Sequence, residues 1–405
     1  MGEIEIPQFF ICPISLQIMK EPVTTLTGIT YNRESIEHWL LTSKNCTCPI
    51  TKQPLPRSSE FLTPNHTLQR LIQSWHSTNS PSSRISIEKS KLEKLVKNLD
   101  HEAIQKLHTL ALEDEGTKTC LVEAGVAKAI IQKVIIKSFF KQGKTIYLEQ
   151  ALRILRLLWP LAITNDKNMN CYKVDHNFDL VNSLTLTLQL HNHKKNFKVI
   201  NEAMLVLKHV LEVKSSNSLL NLNVEFFREI VKVLRIRNKE LSKQAIKSAL
   251  HVLLQTCPLG RNRMKIVEAK AVTELIDLAL EKQEKNQTEL IFTLLADLCS
   301  CADGREQFVR HAAGIAVVSK RTLRVSATTD DRALQIFCLI SKYCGTHEFV
   351  QEMLRVGAVS KLCMVMQADC ASYLKEKARG VLRLHSNVWN DSPCIQVYLF
   401  TRHQR

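Results

Sequence analysis

Glycine and proline are scarce in this chain, eleven of each in 405 residues. Few tight turns and few helix breakers follow from that, so long helices are favoured over a sheet-rich fold. No stretch approaches the roughly eighteen uncharged apolar residues of a membrane-spanning helix, and no span is expected. The opening Met1-Gly2-Glu3-Ile4-Glu5-Ile6 lacks a basic segment and an apolar signal core. It also lacks the Ser or Thr of a myristoylation site. An intracellular protein is expected, cytoplasmic with the nucleus also open. Basic residues are not interleaved with aromatics and no nucleic-acid motif is present, so no nucleic-acid partner is expected.

Cysteine is plentiful, thirteen in all, but the count is odd. Cys120, Cys257, Cys299, Cys338 and Cys363 fall within apolar helical stretches, where a thiol is a small buried hydrophobe. A disulfide framework is therefore not expected in a reducing compartment. Paired metal ligands are also missing. Residues 1–76 hold Cys12, His38, Cys46, Cys48, His66 and His76 as candidates. Two four-coordinate zinc sites need about eight ligands, usually in Cys-x2-Cys pairs. Cys46-x-Cys48 is tighter than that pair and Cys12 has no near partner, so neither a metal nor another cofactor is expected.

The charge is uneven. The chain carries +16 at neutral pH. In residues 1–76 Lys20, Arg33, Lys44, Lys52, Arg57 and Arg70 are balanced by Glu3, Glu5, Glu21, Glu34, Glu37 and Glu60. The whole excess lies beyond Ser77, in a region suited to an acidic protein partner or to a plain solvated basic face. Ser77-Thr78-Asn79-Ser80-Pro81-Ser82-Ser83 is small, polar and proline-broken, as linkers are. The expected layout is a small domain over 5–79, a linker over 80–90 and helical repeats over 91–390.

The carboxy-terminal region reads as helix almost throughout. Apolar residues recur at three and four, as in Leu92, Leu95, Val96 and Leu99, in Leu152, Leu155, Leu158 and Trp159, and in Ile246, Leu250, Leu253 and Leu254. A longer period lies over this one. Glu123-Ala124-Gly125-Val126-Ala127 is matched by Glu268-Ala269-Lys270-Ala271-Val272, by His311-Ala312-Ala313-Gly314-Ile315 and by Arg355-Val356-Gly357-Ala358-Val359. Val272, Ile315 and Val359 stand 43 and 44 residues apart. The wider interval before them has room for degenerate copies near Leu180-Val181 and Phe226-Phe227. The small residue ahead of each apolar one lets a short turn lead into a long inner helix. A period in the low forties made of helices predicts a solenoid whose units bury their faces on each other, similar to armadillo repeats.

In the small domain Ile36, Trp39 and Leu40 share a helical face, and Leu68, Leu71, Ile72 and Trp75 share another, with Asn65 placed to cap it. With no zinc to brace them, the loops need a polar network, for which Ser15, Glu21, Asn32, Arg33 and Thr51 are the candidates. Cys12 reads as a packing thiol, since no His is placed beside it.

The string Cys12-Pro13-Ile14-Ser15, Glu21-Pro22-Val23, Thr27-Gly28-Ile29-Thr30-Tyr31, Arg33, Ile36, Trp39-Leu40, Cys48-Pro49, Pro64-Asn65, Leu68, Leu71-Ile72 and Trp75 closely resembles the U-box of plant ubiquitin ligases. That family joins its U-box to armadillo repeats, and the resemblance is nearest to its stress- and immunity-associated members. It implies a mainly α chain, a small α+β zinc-free RING-like U-box followed by a right-handed armadillo-type α-solenoid. It also implies a groove for a ubiquitin-conjugating enzyme formed by Cys12, Pro13, Ile14, Leu16, Trp39, Pro49 and Lys52. Ile14 and Trp39 can also be read as core residues, Trp39 as partly both. Lys52 falls where related modules carry a basic residue that touches both the conjugating enzyme and ubiquitin. A lysine there gives one point charge in place of a bidentate fork. No covalent catalytic residue is implied: the module would orient the thioester of its partner towards lysines of substrates bound by the repeats. The rival expectation is a non-enzymatic armadillo adaptor for acidic cargo. Homo-oligomerisation through the small domain is compatible with the sequence and not legible in it.

Overall fold

The computed structural model describes residues 6–42, 46–56, 61–79, 92–135, 147–165, 176–194, 196–212, 219, 222–236 and 240–403. The expected linker over 80–90 lies outside them. By contact the chain divides into two compact units, Met1–Lys94 and Leu95–Arg405.

The first unit is a small α+β module. Strands β1 (Pro22–Thr24), β2 (Thr30–Asn32) and β3 (Thr63–Pro64) form an antiparallel sheet in the order β2-β1-β3, with Val23 opposite both Tyr31 and Pro64. The β1–β2 turn needs one residue in left-handed backbone, and Gly28 supplies it at φ 78°. Helix α1 (Arg33–Thr42) buries Ile36 and Leu40 and leaves Trp39 half-buried. Helix α2 (His66–Asn79) is capped by Asn65, whose Oδ1 accepts the Leu68 N–H at 3.0 Å. Ile72 is buried on α2, but Leu71 turns half out to solvent, so the apolar face is narrower than its spacing implies. Phe10, Cys12, Met19, Val23, Tyr31, Ile36, Leu40 and Cys48 make one core.

The second unit is an armadillo-like stack of helices with two ladders. One runs through Val126–Ile130, His176–Lys194, Val224–Arg235, Ala271–Leu280, Gly314–Arg321, Ala358–Gln367 and Pro393–His403. The other runs through Leu148–Asn165, Phe197–Glu212, Lys243–Thr256, Lys285–Leu298, Ala327–Cys344 and Ser372–Leu384. From His176 onward each helix of a ladder packs on the next of its kind. Leu180 and Phe226, taken from the sequence as marks of degenerate copies, are both buried in the first ladder. The repeated motif opens a first-ladder helix, and in the copies at 271, 314 and 358 that helix is shorter than the one after it. The sequence reading had placed the motif ahead of the long helix.

The turn before that helix has a specific backbone. Gly125, Lys270 and Gly357 are left-handed, at φ 73°, 67° and 75°. The copy at 311–315 differs: Ala313 keeps φ −99° and Gly314 begins the helix. Its glycine is required for space, since a Cβ there would lie 2.7 Å from the Phe308 carbonyl oxygen. Neighbouring repeats are also tied by side chains that reach carbonyls near helix ends, which have no partner within their own helix. Trp159 Nε1–H donates to His209 at 3.1 Å, Gln255 to Leu211 at 2.7 Å and Gln307 to Val267 at 2.8 Å. Buried Asn262 likewise donates to the Leu219 carbonyl at 2.8 Å. Glu202, nearly buried, takes Arg153 and Arg156 at 3.1 and 2.8 Å. Every described cysteine is a free thiol. Cys257, Cys299 and Cys363 are buried, whereas Cys120 and Cys338 are half-buried.

Lys270 is exposed and meets the cost of a left-handed residue without glycine's freedom. Lys270→Gly should stabilise the repeat unit by about 0.5–1 kcal/mol. Gly357→Ala, with nothing within 4 Å of the new Cβ, should destabilise it by about 1 kcal/mol through the backbone alone. Urea unfolding of the full chain reads both changes, and equal midpoints in all three proteins would contradict the account of the turn.

Candidate functional site

Two loops of the first unit have nearly the same sequence, Cys-Pro-Ile-Ser-Leu-Gln over 12–17 and Cys-Pro-Ile-Thr-Lys-Gln over 48–53. They also have the same fold. In each, the cysteine N–H donates to the glutamine carbonyl, at 2.8 Å in both. The fifth residue returns its N–H to the cysteine carbonyl, Leu16 at 2.8 Å and Lys52 at 3.0 Å. Closing so tight a loop puts that fifth residue in left-handed backbone, Leu16 at φ 56° and Lys52 at φ 59°. Bridges Ile11↔Ile18 and Thr47↔Pro54 close the two bases.

The loops are tied to the sheet through sulfur. Cys12 and Cys48 are both 0% exposed. Cys12 Sγ accepts the Asn32 N–H at 3.3 Å, and Ser15 bonds to the same thiol. Asn32 Oδ1 accepts the N–H groups of Lys20 at 3.0 Å and Glu21 at 3.1 Å. Cys48 Sγ lies 3.0 Å from the Tyr31 hydroxyl, 3.4 Å from the Thr27 hydroxyl and 3.4 Å from the Thr51 N–H. Burial pushes the Cys48 thiol up, but the hydrogen bonds from Thr27, Thr51 and Tyr31 outweigh it and hold it at about 6. Burial, and then the bond to Cys48, push the Tyr31 hydroxyl up, so Tyr31 is the donor of that pair. Cys12 follows the same pattern: burial raises it, and the bonds from Asn32, Ser15 and Ile14 leave it below the ordinary thiol value.

Of the residues assigned to a polar network, Asn32 and Thr51 donate to or surround these thiols and Ser15 meets Cys12. Arg33 reaches Glu21 and Glu37, each at 3.4 Å, while its backbone N–H donates to the Glu21 carbonyl at 2.9 Å. Glu21 is largely exposed, so that ion pair contributes little beside the backbone bond. Thr27, Tyr31 and Cys48, at the centre of the second cluster, were not assigned to it from the sequence. The repeated Cys-Pro-Ile-Ser/Thr-x-Gln is a signal for Cys48 as the counterpart of Cys12, and no such signal marks Thr27 or Tyr31. Among the described residues no group of three His, Cys, Asp or Glu is placed to hold a metal ion.

The surface side is apolar at the loop tips. Leu16 is 77% exposed and Ile50, the counterpart of Ile14, is 52% exposed. Pro13 and Lys52 are exposed, and Ile14, Trp39 and Pro49 are half-buried. Ile14 and Trp39 both pack on the core with their inner edges. Ile50 was not among the residues singled out from the sequence. From α1, Trp39 Nε1–H donates to the Thr47 carbonyl at 3.0 Å, at the base of the second loop.

The Cys48 thiol loses its proton near 6 in the fold and near 9.0 in the open chain. Its contribution to stability is complete above the upper value and is lost as pH falls through the lower one. Hydrogen exchange of the Val23 and Tyr31 amides in the full chain should therefore slow from pH 6 to pH 9 once corrected for intrinsic rates. Cys48→Ala should remove that slope and destabilise the unit by about 1–3 kcal/mol, because the buried Tyr31 hydroxyl loses its acceptor. A flat corrected profile in the unsubstituted chain would contradict this account of the sulfur.

Comparison with known proteins agrees with this geometry. The family model described as U-box domain matches residues 6–81, and that described as Plant U-box protein ARM repeat region matches residues 84–405. The chain is 41% identical to the E3 ubiquitin-protein ligase PUB23 of Arabidopsis thaliana, over 97% of this chain and 96% of that one. PUB24 of the same plant is 38% identical, over 99% and 96%, and PUB22 is 36% identical, over 98% of each. The two family models and relatives matched over nearly the whole length, together with a small α+β module followed by stacked helical repeats, place the chain in the plant U-box E3 ubiquitin-protein ligases with an ARM repeat region.

Proposed function

We propose that the loop tips and α1 form the groove that receives a ubiquitin-conjugating enzyme, and that the ARM repeats hold the protein substrate. Loop one brings Pro13, Ile14 and Leu16 to this groove on the buried anchor Cys12. Helix α1 brings Trp39, and loop two brings Pro49, Ile50 and Lys52. The observation that carries this reading is Leu16, 77% exposed on a loop whose backbone is closed by its own hydrogen bonds. A leucine fixed in water gains nothing until a partner covers it, and exposed apolar surface held in place is what an interaction site presents.

The chemistry stays on the partner. Cys12 and Cys48 are buried and engaged as acceptors, so neither presents a nucleophile for ubiquitin. The U-box acts by holding the conjugating enzyme's thioester near an acceptor lysine, where proximity and restricted geometry accelerate aminolysis. Lys52 stands exposed at the tip of loop two, and its charge favours a closed conjugate by contact with ubiquitin. The basic excess beyond Ser77 supports substrates with acidic surfaces. The stress- and immunity-associated setting, proteasomal turnover of the substrate and a cytoplasmic or nuclear location complete the proposal.

With ubiquitin, activating enzyme and a matched conjugating enzyme, the full chain should assemble ubiquitin chains. Ile14→Ala and Leu16→Ala should each slow this by about tenfold or more, the scale of a lost interface anchor, with the circular dichroism of the repeats unchanged. Cys12→Ala should also slow it, by loosening loop one. Full activity in both the Ile14 and the Leu16 variants would overturn the groove assignment. A chain that binds acidic peptides but assembles no ubiquitin with any conjugating enzyme would favour the adaptor.

A further inference from the structure

We propose that Trp39 is a positioning residue: its indole N–H, by holding the Thr47 carbonyl, sets where loop two stands against the bound conjugate. This rests on the groove reading above.

Loop two is a closed unit. Its internal bonds run Lys52 to Cys48, Cys48 to Gln53 and Leu55 to Cys46, at 3.0, 2.8 and 2.8 Å. Such a unit keeps its shape but can pivot as a body, so its placement depends on its outer ties. On the sheet side Tyr31 and Thr27 hold the Cys48 sulfur, and Tyr31 also meets the Ile50 backbone. At the base Leu55 is buried in the core, and the Cys46 thiol makes a long contact of 3.9 Å with the Leu40 carbonyl. Trp39 adds a short, directional tie from α1: its Nε1–H meets the Thr47 oxygen at 3.0 Å, one residue ahead of Cys48. The donor itself is fixed, because Ile36 and Leu40 anchor α1 in the core at 0% and 4% exposure. Loop one has the equivalent thiol tie and base closure, Asn32 at Cys12 and Met19 to Phe10 at 2.9 Å, and differs in its relation to α1. Among the described residues no side chain of α1 donates a hydrogen bond to loop one. The indole therefore acts on Pro49, Ile50 and Lys52 and leaves Leu16 and Ile14 in place.

Trp39→Phe keeps an aromatic ring and removes the donor. A benzothienylalanine at position 39, which keeps the shape of the indole without its N–H, serves if the phenylalanine variant is poorly folded. The reaction to follow is discharge of a preloaded conjugating enzyme–ubiquitin thioester onto free lysine, with the full chain saturating. Loss of one neutral hydrogen bond predicts about a two- to tenfold lower saturated rate. Lys52→Ala should cost less in the Trp39 variant than in the unsubstituted chain, because a displaced Lys52 has little left to lose. Amide exchange at Lys52 and Leu55 should quicken while that at Leu16 stays unchanged. Two results would overturn the inference: a variant that changes only the half-saturating concentration, or one in which the Lys52→Ala loss adds in full with loop-two exchange unaltered. If Ile14→Ala also discharged at the full rate, the groove reading itself would be at fault.

Discussion

The sulfur of Cys48 takes hydrogen bonds from a strand residue, a turn residue and its own loop, and the rest of the U-box is arranged around that point and its counterpart at Cys12. A module of this size has too small a core to hold two extended loops by apolar burial alone. A metal would fix each loop through several ligands at once. Here a buried thiol accepts several donors instead, and the donors come from parts of the chain that must stay together. Because Tyr31 is buried with Cys48, removal of that sulfur leaves a buried hydroxyl without its acceptor. The rigid loops that result can carry leucine and isoleucine into solvent without collapsing onto the core.

The repeat unit solves the opposite problem. It has apolar area in abundance and must keep stacked helices in register. Two devices do this. A left-handed residue before three of the first-ladder helices, Gly125, Lys270 and Gly357, turns the chain in a small space, and side chains from one repeat reach carbonyls near the helix ends of a neighbouring one. Burial of Leu152, Leu155, Leu250, Leu253, Leu294 and Leu295 then supplies the bulk of the stability. The fold places the basic excess on this unit and leaves the U-box neutral.

Much of this was legible in the sequence because it depends on period and local backbone chemistry. The helical character, the repeat of 43 and 44 residues and the cap at Asn65 were all readable from residue types at fixed spacing. What was not legible depends on who meets whom in space. The thiols read as packing groups or as failed zinc ligands, since an acceptor role exists only once Tyr31, Thr27 and Asn32 fold onto them. The bond from Trp39 to Thr47 joins a side chain to a backbone carbonyl, which has no signature in residue types. Gly314 resembled the other motif glycines and has a different reason: it clears the Phe308 carbonyl, whereas Gly125 and Gly357 satisfy a dihedral angle.

Clamp and loop thus form one chain of dependence, in which sulfur acceptors stand where a metal would otherwise be needed. The most direct test is discharge of a preloaded conjugating enzyme–ubiquitin thioester by the full chain after exhaustive exchange against a strong zinc chelator. The account predicts an unchanged rate and unchanged melting of the U-box. A loss of rate that added zinc restores would contradict it.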